Sequence, residues 1–226
     1  MLNLENVSFR WPGAAQNCID SLSLNLTAAQ WVALTGDNGA GKSTLLRLMA
    51  GLLTPTHGAV KLQNQPLTAL KNRQRAAHIG VLFQEAEHQI FHSRVVDEVE
   101  FGLRLQKLPA AEISRRAADA LALCELTDVA TAHPLDLHSA QRRMVAVACL
   151  EALAPPLLLL DEPSRDFDDR WLGIFERWLM ACQQRGTTVL AISHDYAFID
   201  RYFARVLRLQ GGKIAADGTP DEVLTR

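Results

Sequence analysis

The segment Gly36-Asp37-Asn38-Gly39-Ala40-Gly41-Lys42-Ser43 satisfies every fixed position of the pattern GxxxxGK[ST], and it constrains the chain more than any other feature. Glycines let such a turn curl until successive backbone N–H groups point at phosphate oxygens, and a helix that follows adds its positive N-terminal end. The geometry therefore asks for a strand before the turn and a helix after it. Trp31 to Leu34 is a short apolar run, and from Lys42 the sequence KSTLLRLMAG keeps helical spacing until Gly51. In this setting Lys42 reaches the β- and γ-phosphates and Ser43 ligates Mg²⁺. Asp37, Asn38, Gly39, Ala40 and Thr44 complete the nucleotide-contact candidates.

The rest of the chain supports a phosphate-binding α/β reading. Apolar residues alternate in the opening segment and at Leu22, Leu24 and Leu26, which predicts an N-terminal sheet. Further strands are expected at Ala59 to Leu62 and Ile79 to Phe83, and residues 95–154 read mostly helical. Pro155 and Pro156 end that stretch, after which LLLLD and TTVLAIS are continuous apolar runs suited to strands buried on both faces. With no repeat, low-complexity tract or flexible linker, the helical segment is expected to pack on the core. Apolar residues at 48% allow a sizeable core without staples. The four cysteines are widely spaced with no CxxC pair, and read as buried small hydrophobes. Lys+Arg 23 against Asp+Glu 25, a net charge of −2, gives no drive toward nucleic acid. No stretch approaches the roughly 18 apolar residues that span a bilayer, so membrane contact is expected only through a partner.

Three further motifs follow strands. LLLLDEP sets Asp161 and Glu162 at the C-terminal end of a buried strand, the edge where open α/β sheets bind ligands. Asp161 there would hold Mg²⁺ and Glu162 would polarise the attacking water. His194 follows VLAIS, where an imidazole reaches a γ-phosphate, and Gln84 follows IGVLF. The order of phosphate loop, Gln84, helical insert, LLLLDEP and SHD resembles the ATP-binding-cassette ATPases over essentially all 226 residues. The resemblance implies an α/β phosphate-loop core with an N-terminal antiparallel β portion and an inserted helical subdomain. It divides a single domain into core 1–83 and 156–226 and insert 84–155. It makes Glu162 the base, His194 the γ-phosphate sensor, Gln84 a Mg²⁺ contact and link to the insert, Trp11 of SFRWP the adenine-stacking ring, and Asp168 the terminal residue of the dimer-interface loop Ser164–Asp168.

The stretch 84–91, followed by Val95, Glu98, Val99, Phe101 and Gly102, is similar to the ATP-binding subunits of energy-coupling-factor transporters, which import vitamins or transition metals. Arg94 and Ala86 depart from that pattern, standing where Thr and often Pro are usual. A larger departure lies in the signature LSGGQ, which reads Leu137-His138-Ser139-Ala140-Gln141 here, differing at three of five positions. In the family this segment meets the γ-phosphate on a partner's loop, just before a helix expected to begin near Arg142. His138 removes the hydroxyl, and Ser139 and Ala140 add β-carbons where backbone approaches oxygen.

These features together predict an ATP- and Mg²⁺-dependent ATPase at the cytoplasmic face of the membrane. It is expected to act as a homo- or heterodimer with a second cassette subunit, beneath a transmembrane coupling protein. The competing expectations are a soluble cassette ATPase in cofactor assembly and a weakly hydrolysing regulatory subunit.

Overall fold

A computed structural model describes residues 1–165 and 167–224, without the side chains of Glu87 and His88. Asp166, within the expected interface loop, and those two side chains, within the stretch that marks the transporter branch, lie outside the described residues. The chain runs β1 (Leu2–Phe9), β2 (Ile19–Leu26), β3 (Trp31–Thr35), α1 (Lys42–Met49), β4 (His57–Leu62), β5 (Gln65–Pro66), α2 (Asn72–His78) and β6 (Ile79–Leu82). It continues through α3 (Val95–Leu105), α4 (Ala110–Leu123), α5 (Ser139–Leu153), β7 (Leu157–Asp161), α6 (Asp169–Gln184), β8 (Thr188–Ile192), α7 (Tyr196–Tyr202), β9 (Arg205–Gln210), β10 (Lys213–Gly218) and α8 (Pro220–Val223).

Two sheets form. The smaller is antiparallel, in the order β2-β1-β4-β5, with Leu2 opposite both Leu26 and Leu62. The larger runs β10-β9-β3-β8-β7-β6, parallel except for the terminal hairpin of β9 and β10. Side-chain alternation along its central strands divides the core in two. Val32, Leu34, Leu157, Leu159, Leu190 and Ile192 face α1 and the small sheet. Trp31, Ala33, Leu158, Leu160, Val189 and Ala191 face the layer built from α3, α4, α5 and α6. A strand covered on both faces must be apolar at every position, which is why LLLLD carries no alternation. Burying each leucine contributes about 1.5–3 kcal/mol.

The insert helices α3, α4 and α5 share one hydrophobic cluster with β7, β8 and α6, so they extend the core instead of forming a separate one. α5 begins at Ser139, three residues ahead of the expected start near Arg142. The reason is local: His138 has an extended backbone and its Nδ1 accepts from the Gln141 N–H at 3.4 Å, an N-cap that makes the helix viable from Ser139 onward. Its far end stops at Ala154, in a left-handed conformation with φ 46°, before the two prolines.

Cys124 and Cys182 are buried, as expected, and burial pushes both thiols well up from their ordinary range. Cys18 and Cys149 depart from the expectation: each is only partly buried, and Cys18 Sγ donates to Thr44 Oγ1 at 3.5 Å.

Candidate nucleotide site

Parallel pairing puts the C-terminal ends of β3, β6, β7 and β8 on one rim. The Gly36–Gly41 turn follows β3, Gln84 follows β6, Glu162 follows β7 and His194 follows β8. All border a cleft of about 490 Å³ lined by Asn38, Gly39, Lys42, Ser43, Asp161 and His194 among others. The sequence motifs, spread over more than 150 positions, meet here because four strands share a direction.

The turn needs its glycines for two separate reasons. Gly36 has φ 142° and Gly41 φ 103°, in the region side chains avoid. A Cβ at Gly36 would stand 2.2 Å from the Leu209 carbonyl oxygen, and one at Gly41 2.9 Å from that of Cys18. The β9–β10 hairpin braces the turn further, since the Gly212 N–H donates to the Ala40 carbonyl at 3.3 Å. Gly41 caps α1 without a side chain, leaving the first N–H groups of that helix directed at the cleft.

Lys42 Nζ donates to the carbonyls of Gly36 at 2.5 Å and Asp37 at 3.0 Å. Burial lowers its pKa, while the carboxylates of Glu162, Asp161 and Asp37 oppose the shift. Ser43 Oγ donates to Asp161 Oδ2 at 3.0 Å. Burial raises the Asp161 pKa, against the Ser43 bond and the cations Arg47, Lys42 and Arg143. Glu162 sits beside it with φ 48°, left-handed for a residue with a side chain, and its N–H donates to the Ile192 carbonyl at 2.9 Å. Burial raises the Glu162 pKa, while the His194 imidazole and backbone N–H hold it down. His194 Nε2 lies 3.6 Å from Glu162 Oε1 and is half exposed.

These residues fit a triphosphate with a hard cation. The donors are oxygens from Ser43, Asp161 and Gln84, and the cradle is one a Cβ at Gly36 or Gly41 would fill. Among the described residues no group of three or more His, Cys, Asp or Glu could hold a metal alone. Magnesium needs few such ligands, because substrate phosphates supply the others.

Other expected residues lie off the rim. Trp11 does not line the cleft; it is partly exposed and packs edge-on against Phe9, with ring centroids 5.0 Å apart. Asp168 caps α6, its Oδ1 accepting from the Trp171 N–H at 2.9 Å. In the signature segment His138 and Ser139 are exposed, but Ala140 is buried with its methyl in the core. Its β-carbon therefore does not stand on the face presented by its two neighbours, contrary to the expectation for all three. The helix periodicity turns that position inward.

Sequence reasoning missed Cys18, which lines the cleft, and Arg143 on α5. Arg143 is buried, and no motif spacing marks it.

A phosphate loop after the end of β3, beside an acidic pair at the end of β7, defines a phosphate-loop nucleotide-binding fold. The family model described as ABC transporter matches residues 19–165, and the chain belongs to that family. The nickel import ATP-binding protein LarO of Lactiplantibacillus plantarum is 36% identical over 202 residues, covering 87% of this chain and 83% of LarO. Among solved structures, the cassette MJ0796 in a dimeric post-hydrolysis state bound to ADP and Pi has a TM-score of 0.87 at 25% identity, covering 97% of this chain and 99% of that one. cbiO1 from Clostridium perfringens, described as part of the ABC transporter complex cbiONQ, has a TM-score of 0.85 at 27% identity over 98% of this chain and 89% of its own. Four other curated relatives, described as ABC transporter ATP-binding proteins, are longer: the chain spans from 31% to 40% of their length. Among the described residues no helix is long and apolar enough to cross a membrane.

Proposed function

We propose that the chain binds and hydrolyses ATP to power an importer of the energy-coupling-factor type, for a vitamin or transition metal. The observation that carries this reading is the convergence of Lys42, the Ser43–Asp161 pair, Glu162 and His194 on one cleft. The turn's N–H groups and Lys42 bind the phosphates. Ser43, Asp161 and Gln84 would hold Mg²⁺, which when bound neutralises charge on the phosphate oxygens. Glu162 takes a proton from water as the water oxygen bonds to the γ-phosphorus; the bond from that phosphorus to the bridging oxygen breaks, and ADP leaves. A carboxylate whose pKa is raised by burial is a better base than an ordinary one. Trp11 would stack on adenine, outside the residues that line the phosphate cleft.

LarO, a nickel import subunit, supports a metal cargo, and cbiO1, part of a transporter complex, supports a transmembrane partner. Residues 84–155 would serve as the surface that a transmembrane coupling protein engages, holding the chain at the cytoplasmic face. Two cassettes would close on MgATP, with Asp168 at the end of the interface loop.

The exposed pair His138–Ser139 supports a second reading, in which this chain pairs with a different cassette. In that heterodimer the site completed by LHSAQ turns over slowly, and the chain's role there is partly regulatory. The main reading is tested with Glu162→Gln. MgATP affinity by calorimetry stays near the parental value while turnover falls at least about 100-fold; hydrolysis at the parental rate removes Glu162 as the base.

A further inference from the structure

Arg143 lies on α5, five residues beyond His138, and is 3% exposed. Its Nη1 donates to the Gln84 carbonyl at 2.6 Å and its Nη2 to the Glu162 carbonyl at 2.7 Å. The guanidinium carbon stands 5.8 Å from the centre of the Phe167 ring, in the loop that follows Glu162. One side chain therefore grips the backbone of two cleft residues that leave different strands, just past the last paired residues of β6 and β7. Glu162 is also in the left-handed region, a conformation that persists only when its surroundings over-determine it. The Ile192 carbonyl fixes its N–H, and Arg143 fixes its C=O.

We propose that Arg143 is a positioning residue for hydrolysis: by holding the Glu162 and Gln84 carbonyls in one planar fork, it sets where both side chains enter the cleft and ties them to the helix that begins at LHSAQ. The proposal rests on the reading of Glu162 as the base. A guanidinium reaches two carbonyls through separate nitrogens in fixed geometry, whereas an ammonium is a point donor and cannot reproduce the fork.

The test uses the full chain. Where turnover of the natural signature is too slow to resolve, it is run in the His138→Ser, Ser139→Gly, Ala140→Gly background. Arg143→Gln should lower kcat roughly 10- to 100-fold, while affinity for a non-hydrolysable MgATP analogue changes less than about threefold. In single-turnover measurements on Glu162→Gln, adding Arg143→Gln should cost less than about twofold more, because both changes act through one group. Parental kcat in folded Arg143→Gln overturns the proposal, as does its full effect persisting without the Glu162 carboxylate. If Arg143→Gln does not fold, Arg143→Lys decides: lowered kcat with retained affinity supports the fork, and parental kcat sinks it. Parental hydrolysis by Glu162→Gln removes the reading and the proposal together, whereas parental kcat in Arg143→Gln beside an inactive Glu162→Gln removes the positioning role alone.

Discussion

Alanine at Gly36 and at Gly39 separates two costs that a phosphate-loop glycine avoids. Both have positive φ, 142° and 81°, so alanine at either carries strain of about 1–3 kcal/mol. At Gly39 nothing lies within 4 Å of the added Cβ, and strain is the whole cost to the fold. At Gly36 the Cβ lands 2.2 Å from the Leu209 carbonyl oxygen. That oxygen belongs to β9, which is bonded to β3 on one side and β10 on the other, so it has no direction in which to retreat. The loss there should reach about 4 kcal/mol or more, the range reserved for severe packing errors. For a domain of this size each kcal/mol moves Tm by roughly 2–4 °C. Gly39→Ala should therefore melt about 2–12 °C below the parental chain, and Gly36→Ala at least about 8 °C below it. Calorimetry with MgATP supplies the second axis: Gly39 lines the cleft, so its methyl should weaken nucleotide binding in a chain that still folds. Equal melting of the two variants would show that the collision with Leu209 is not what requires glycine at position 36.

Replacing His138→Ser and Ser139→Gly together should raise turnover of the purified chain about 10- to 150-fold, the value of one restored hydrogen bond to a charged group; rapid hydrolysis by the unaltered chain, unmoved by the repair, removes the reason for a second kind of subunit. Ala140→Gly alone should leave turnover unchanged and cost about 0.5–1 kcal/mol in a thermal melt, since its methyl is in the core and glycine weakens a helix. The acid limb of the kcat profile should lie above the 4.5 of an ordinary glutamate, because burial raises the Glu162 pKa and only the ionised form accepts a proton. His194→Ala removes the imidazole that holds that pKa down, so the limb should move to higher pH; movement to lower pH would contradict the assignment.

How far the site could be read from sequence depended on whether a function fixed spacing or only a contact. The phosphate loop binds through consecutive backbone groups, so its glycines and Lys42 must fall at set intervals, and the interval is visible. LLLLD was legible because a strand covered on both faces leaves no polar position. Arg143 was not legible: it follows Arg142 in a helix, and two adjacent cations look like a solvated face until the fold buries one of them against carbonyls 59 and 19 residues away. Cys18 escaped notice for the same reason, its place beside Thr44 being set by the register of β2 against the turn. The terminal hairpin has no marked turn chemistry beyond Gly211-Gly212, and β9 breaks alternation at the buried pair Val206-Leu207, so only the pairing with β3 reveals that it braces the loop.

The signature segment shows why a folding role and a chemical role must be argued separately at one residue. A helix cap needs an acceptor for a backbone N–H, and His138 Nδ1 provides one to Gln141. A γ-phosphate needs a donor. With Nδ1 accepting, the proton of a neutral ring is on Nε2, and the ring is held edge-on to Trp171 with centroids 5.4 Å apart. Histidine thus caps the helix here, while the donor it would offer a partner stands at a different reach and angle from a serine hydroxyl. It follows that LHSAQ costs the fold little, and that slow turnover by this chain alone would point to the contact proposed for it across a dimer, not to a helix that has failed to form.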